Sequence, residues 1–138
     1  METLKLTLLS PERKLLDHFT VQSVTVTGSE GQIEILPGHS AMIGTVETGL
    51  FSYQLPDKSV SVGVISSGFF EIKDDLVRIM AETVELKSEI NLTRAQEAQK
   101  RAEKALQDAA LDEHQFRKYQ FKLQRALIRQ QIAGKGEH

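Results

Sequence analysis

The chain contains no cysteine. That absence excludes a disulfide framework, a thiol nucleophile and a cysteine metal site together, and it fits a reducing compartment. No apolar run approaches the ~18 residues that a spanning helix needs, and no basic leader with an apolar core and cleavage site opens the chain. Membrane association is therefore expected only through a partner. No glycine-rich loop leads from a strand into a helix, so neither a P-loop nor a dinucleotide fingerprint is present. The histidines, His18, His39, His114 and His138, are scattered without metal-ligand spacing, and no metal site is expected. Glu30, Glu34 and His39 could be drawn together as a site, but a loop histidine after Pro-Gly is more often a turn or contact residue. No catalytic centre is expected.

Charge is low overall and unevenly shared. A net charge of −2 argues against a general nucleic-acid binder. Residues 1–86 carry six Lys and Arg against twelve Asp and Glu, and residues 87–138 carry eleven against seven, which gives an acidic head of −6 and a basic tail of +4.

What is present first is period-two patterning. Leu4, Leu6 and Leu8 alternate with polar residues as a first strand that Ser10-Pro11-Glu12 ends, and Phe19 to Val26 supplies a second. Gly28 and Gly31 bracket Ser29 and Glu30 as a tight turn, Ile33 and Ile35 alternate in a half-buried strand, and Leu36-Pro37-Gly38 ends it with His39 on an exposed tip. Met42 to Val46, Leu50 to Leu55, Val60 to Ile65, Phe69 to Ile72 and Leu76 to Ala81 follow, the last two as a hairpin around Lys73-Asp74-Asp75. About eight short strands with no helix between them predict an antiparallel β-sandwich or flattened barrel over 1–86. The expected core is Leu6, Leu8, Val24, Val26, Ile33, Ile35, Val62, Val64, Phe70, Ile72, Val77 and Ile79.

From about Asn91 the period changes to three and four and proline disappears, so 87–138 is expected to be an antiparallel two-helix hairpin. Asn91 caps the first helix, Asp108 to Asp112 make the turn, and Asp112 caps the second. Leu92, Ala95, Ala98, Ala102, Ala105, Leu106 and Ala109 form a narrow alanine seam, to be met by Phe116, Tyr119, Leu123, Ala126 and Leu127. Alanine buries little area, so docking of the arms should be marginal and reversible. Lys118, Lys122, Arg125 and Arg129 fall within an arc of about 60°, with no acidic residue between Phe116 and Arg129 to neutralise them. Such a stripe repels itself, which favours an acidic surface or anionic ligand outside the helix over a merely solvated face. Phe121, Ile128 and Ile132 lie beside it as an expected contact surface. Arg94 and Arg101 could face Arg125 and Arg129 across the hairpin, a set of planar forks suited to phosphate.

Three runs carry a resemblance over nearly the whole chain. Val26-Thr-Gly-Ser-Glu-Gly-Gln-Ile-Glu-Ile-Leu-Pro-Gly-His39, Ser67-Gly-Phe-Phe-Glu-Ile72 and Ile90-Asn91-Leu92-Thr93-Arg94-Ala95 resemble, in order and spacing, the signatures of the epsilon-subunit family of bacterial F-type rotary ATP synthases. Ser67 replaces the first glycine of the second signature. The resemblance implies a non-catalytic rotor subunit: a β-sandwich head that binds the gamma stalk and rests on the c-ring, and a mobile two-helix tail that inhibits ATP hydrolysis when extended. It implies a peripheral location on the cytoplasmic face of the bacterial plasma membrane, held there through the c-ring, beside the alpha and beta subunits of the catalytic head. Glu30, Gln32 and His39 would face gamma and the c-ring, with Gln32 standing where many relatives have glutamate. Lys118, Lys122, Arg125 and Arg129 would meet an acidic segment of beta. Some relatives bind ATP through the folded hairpin, and Asn91, Arg94, Ala95, Arg101, Arg125 and Arg129 match that set. Because Asn91 replaces an aspartate and Ser88 falls where ATP-binding members have glutamate, ATP binding is expected to be weak or absent, with no cofactor required. The rival expectation is a free-standing β-sandwich binding module that its hairpin dimerises.

Overall fold

The computed structural model describes residues 2–133. His138 and residues 134–138 of the expected tail lie outside the described residues. The chain divides at Leu86/Lys87 into two compact units.

The first unit is a single mixed sheet folded onto itself as a flattened barrel. Its strands are β1 (Leu4–Leu9), β2 (Lys14–Val21), β3 (Ser23–Gly28), β4 (Gly31–Ile35), β5 (Met42–Val46), β6 (Gly49–Gln54), β7 (Val60–Lys73) and β8 (Leu76–Leu86). They run in the order β2-β1-β8-β7-β6-β3-β4, with β5 also on β7. Every pairing is antiparallel except β1 with β8, which is parallel, so one pair departs from the all-antiparallel expectation. Leu6, Leu8, Val24, Val26, Ile35, Phe70, Ile72, Val77 and Ile79 are buried in the core as their alternation demands, whereas Val64, though buried, lies on the opposite face of β7 from its core neighbour Ile65 and outside the core cluster. Ile33 and Val62 are only half-buried. Leu4, Val21, Val46, Phe51, Tyr53, Ile65, Ala81 and Val84 complete the core.

Two strand boundaries differ from the sequence expectation for identifiable reasons. The expected strand from Phe19 to Val26 is two strands, because the chain leaves β1 and joins β6 at Gln22, whose N–H donates to the Gln54 carbonyl at 2.6 Å. The corner contains neither glycine nor proline, so the alternation runs through it unmarked. The first half of β2 escapes notice because it is irregular: its register against β1 shifts twice, and His18 sits at φ 51°. This is bulge geometry, which breaks period two. His18 Nδ1 lies 2.7 Å from Asp17 Oδ1, and with Lys14 it holds the Asp17 carboxyl below its ordinary pKa.

The two expected strands on either side of Ser66-Ser67-Gly68 are one continuous strand, β7. Its first half pairs with β6 and its second with β5 on the same edge, while β8 runs along the other edge throughout. Ser66 is buried and satisfied, since its Oγ lies 2.5 Å from Thr83 Oγ1 and accepts from the Thr83 N–H at 3.0 Å. Ser67 is exposed, which explains why a serine can replace glycine there. Gly68 has no such latitude, for a Cβ would lie 2.6 Å from Ala81 Cα and collide with the Met80 carbonyl oxygen. Gly68→Val is expected to cost the head about 3 kcal/mol, read from its urea unfolding midpoint.

The hairpin turn after β7 consists of Asp74 and Asp75, both at positive φ (52° and 62°), the arrangement whose twist matches the flanking strands. Asp75 Oδ1 accepts from the Gly38 N–H at 2.7 Å, pinning the Leu36-Pro37-Gly38 turn to this one.

The second unit begins with a 3-10 turn, Lys87–Glu89, followed by α1 (Leu92–Leu106) and α2 (Glu113–Ala133). Asn91 Oδ1 accepts from the Arg94 N–H at 3.0 Å as the N-cap of α1. Asp112 and Gln115 cap α2 reciprocally: Asp112 Oδ1 accepts from the Gln115 N–H at 2.8 Å, and Gln115 Oε1 from the Asp112 N–H at 3.3 Å.

Candidate functional site

One surface of the head and one of the tail bear the residues singled out by sequence, and the head has a second surface besides. Edge strand β4 carries Gln32 opposite Thr27, and both it and Glu34 are exposed. Glu30 occupies the turn before β4, and His39 lies beyond its far end. Glu30, Gln32 and His39 are thus spread along an edge rather than gathered at a point. His39 is half-buried, not an exposed tip, because its Nδ1–H donates to the Ser40 carbonyl at 2.8 Å.

Sequence reasoning did not find the second surface. Phe69 and Met80 are cross-strand partners that point away from the core, 44% and 36% exposed. With Leu9, Pro11 and Ala81 they line a groove of about 540 Å³, rimmed by Glu12, Arg13, Lys14 and Glu82. The signal was available: in Phe69-Phe70 both faces of a period-two strand carry a large apolar side chain, and only one face can be the core.

On the tail, the seam is narrower than expected and α2 is turned relative to it. Ala95 and Ala102 of α1 and Ala126 of α2 are buried, whereas Leu92, Phe116 and Leu127 are 42%, 42% and 46% exposed. Ala109 is also exposed. The inward row of α2 is Tyr119, Leu123, Ala126, Gln130 and Ala133, spaced four and three as a packed helix seam requires. Gln130 and Ala133 were missed because a glutamine does not advertise an inward position. Ile132 is 2% exposed and so leaves the expected contact surface, which retains Phe121 at 57%. Ile128 is half-buried.

The basic stripe is split along the length of α2. Lys118 and Lys122 are exposed, Lys122 Nζ lying 5.3 Å from the Tyr119 ring centroid. Arg125 and Arg129 are half-buried, a correction to the uniformly exposed stripe: all four side chains share one arc of the helix, so position along α2 separates them, and the pair nearer its C-terminal end is the covered one. Arg125 Nε is buried without a hydrogen bond, and burial pushes the Arg129 guanidinium below its ordinary pKa. Among the nucleotide-matching residues, Asn91 spends its side-chain oxygen as a cap, Ala95 is buried in the seam, and Arg94 and Arg101 are exposed.

Known proteins match this arrangement unit by unit. Residues 3–87 match the family model described as ATP synthase, Delta/Epsilon chain, beta-sandwich domain. Residues 88–134 match the corresponding long alpha-helix domain. The ATP synthase epsilon chain of Trichlorobacter lovleyi is 40% identical over 134 residues, covering 97% of this chain and 96% of its own. That of Geotalea daltonii is likewise 40% identical with the same coverage. Among solved structures, a chain of the Euglena gracilis mitochondrial ATP synthase, OSCP/F1/c-ring in rotational state 1, has the same fold, with a TM-score of 0.78 at 22% identity over 92% of this chain and 79% of that one. Two domain matches in register with the two units, and near full-length relatives, place the chain in the delta/epsilon family of ATP synthase subunits as an epsilon chain, a non-catalytic component of that complex.

Proposed function

We propose that the chain is the rotor subunit joining the gamma stalk to the c-ring through its β-barrel head, and that its tail inhibits ATP hydrolysis when extended. It is held peripherally at the cytoplasmic face of the bacterial plasma membrane through the ring. The observation that carries this reading is the make-up of the tail: a seam of Ala95, Ala102 and Ala126, which buries little area, with Lys118 and Lys122 left facing solvent. Closed and extended tails then differ by only a few kcal/mol, a gap that contacts with beta or gamma can reverse. In the head, gamma takes the Phe69–Met80 groove, and the β4 edge with Glu30, Gln32 and His39 meets gamma and the c-ring loops.

ATP is no more than a weak ligand of the tail, since Asn91 supplies an amide already used as a cap. Calorimetry on wild type and an Arg94→Ala, Arg125→Ala variant tests this, and strong heat abolished in the variant contradicts it. Coexpression with gamma tests the main reading. A stoichiometric complex is expected, and a homodimer indifferent to gamma would instead make the chain a free-standing binding module.

A further inference from the structure

We infer that the Gln99–Gln130 amide pair is a directional latch that sets the register and the closed population of the helical hairpin. The inference rests on the reading of the tail as a mobile regulatory hairpin. Gln130 sits in the inward row of α2, between Ala126 and Ala133, where every other residue is apolar or aromatic. Its Nε2 donates to Gln99 Oε1 on α1 at 2.6 Å, in a part-buried position. A lone polar residue in such a seam lowers stability but selects one register, because any slip leaves its hydrogen-bonding groups unmatched. An alanine seam needs this selection more than most, since alanines shifted by one turn still pack against alanines.

The latch has a direction. Gln130 Nε2 also lies 3.4 Å from the Ala126 carbonyl oxygen, and a carbonyl can only accept. Gln130 therefore presents its amino group to the seam, and Gln99 must present its oxygen. A carboxylate at 99 keeps the acceptor and strengthens the bond. A carboxylate at 130 sets acceptor against acceptor and breaks it. Helix propensity is nearly the same for Gln and Glu, so each substitution alters the contact and leaves the helices as such intact.

The test uses the full chain, which has no cysteine of its own. Spin labels on Lys104→Cys and Gln124→Cys, both exposed and on opposite arms, report the inter-arm distance across a urea series, so that every variant passes through its opening transition. Gln130→Glu is expected to lower the closed-to-open ratio about tenfold, with Gln99→Glu within about threefold of wild type, whereas the apolar Gln130→Met keeps the arms closed but broadens the inter-arm distance distribution as registers slip. Amide exchange of the head stays unchanged in all of them. If Gln99→Glu opens the hairpin as far as Gln130→Glu, if Gln130→Glu does not open it, or if Gln130→Met leaves the distance distribution as narrow as in wild type, the latch is refuted. This readout comes from the isolated chain, so its failure is distinct from failure of the inhibitory reading, which is measured on the assembled complex.

Discussion

A head carrying Phe69→Glu and Met80→Glu is expected to lose at least about a hundredfold in affinity for gamma, or roughly 3 kcal/mol, while folding normally. Both side chains lie on the outward face of the β7–β8 ladder, exposed by 44% and 36%, so carboxylates there are solvated in the free chain. In a complex they would be buried without a partner, and breaking even against that desolvation needs a cation that an apolar contact does not supply. The stability of the free variant to urea should fall by no more than about 2 kcal/mol, the cost of two like charges directly opposite on the sheet and of the apolar area lost, which leaves the head folded. Titration calorimetry with gamma checks the claim, and unchanged affinity would remove the groove from the interface.

The second large effect is expected from reversing the exposed half of the basic stripe. Lys118→Glu with Lys122→Glu should raise hydrolysis by the assembled complex several-fold, towards the rate without a tail. Both lysines are exposed, and the ion pair on α2 that joins Arg117 to Glu113 at 2.9 Å leaves them untouched. Their loss therefore changes what the helix meets outside the hairpin more than the hairpin itself. Wild-type inhibition should weaken with added salt, whereas the variant's hydrolysis should be nearly salt-independent. Steady-state ATPase assays over a salt series decide it, and identical salt dependence in the two complexes would refute a charge-based contact with beta.

How much of this was legible depended on whether local pattern and tertiary role agreed. The core alternation of Leu6, Leu8, Val24 and Val26, the Asn91 and Asp112 caps and the alanine seam could be read directly, because each follows from a period or a capping chemistry confined to a few residues. The bulge at Asp17-His18 and the corners at Gln22 and Gly68 could not, since long-range pairing fixes where a strand changes partners. The basic stripe was found as a pattern but misjudged in exposure, because a periodicity fixes which arc a residue occupies and not how much of the helix's length is covered, and Arg125 and Arg129 lie on the covered half. Gln130 was invisible for the opposite reason: its role comes from Gln99, 31 residues earlier. The groove stayed hidden because Phe69 is inseparable from its core neighbour Phe70 until the face of β7 is known.

The central claim is that the tail, not the head, restrains the motor. It is tested most directly by truncating the chain after Leu86, at the boundary between the two units, and measuring ATP hydrolysis and coupled proton pumping by the assembled complex. Hydrolysis should rise several-fold with assembly and pumping retained. An unchanged hydrolysis rate in a complex that still assembles and pumps would contradict the account.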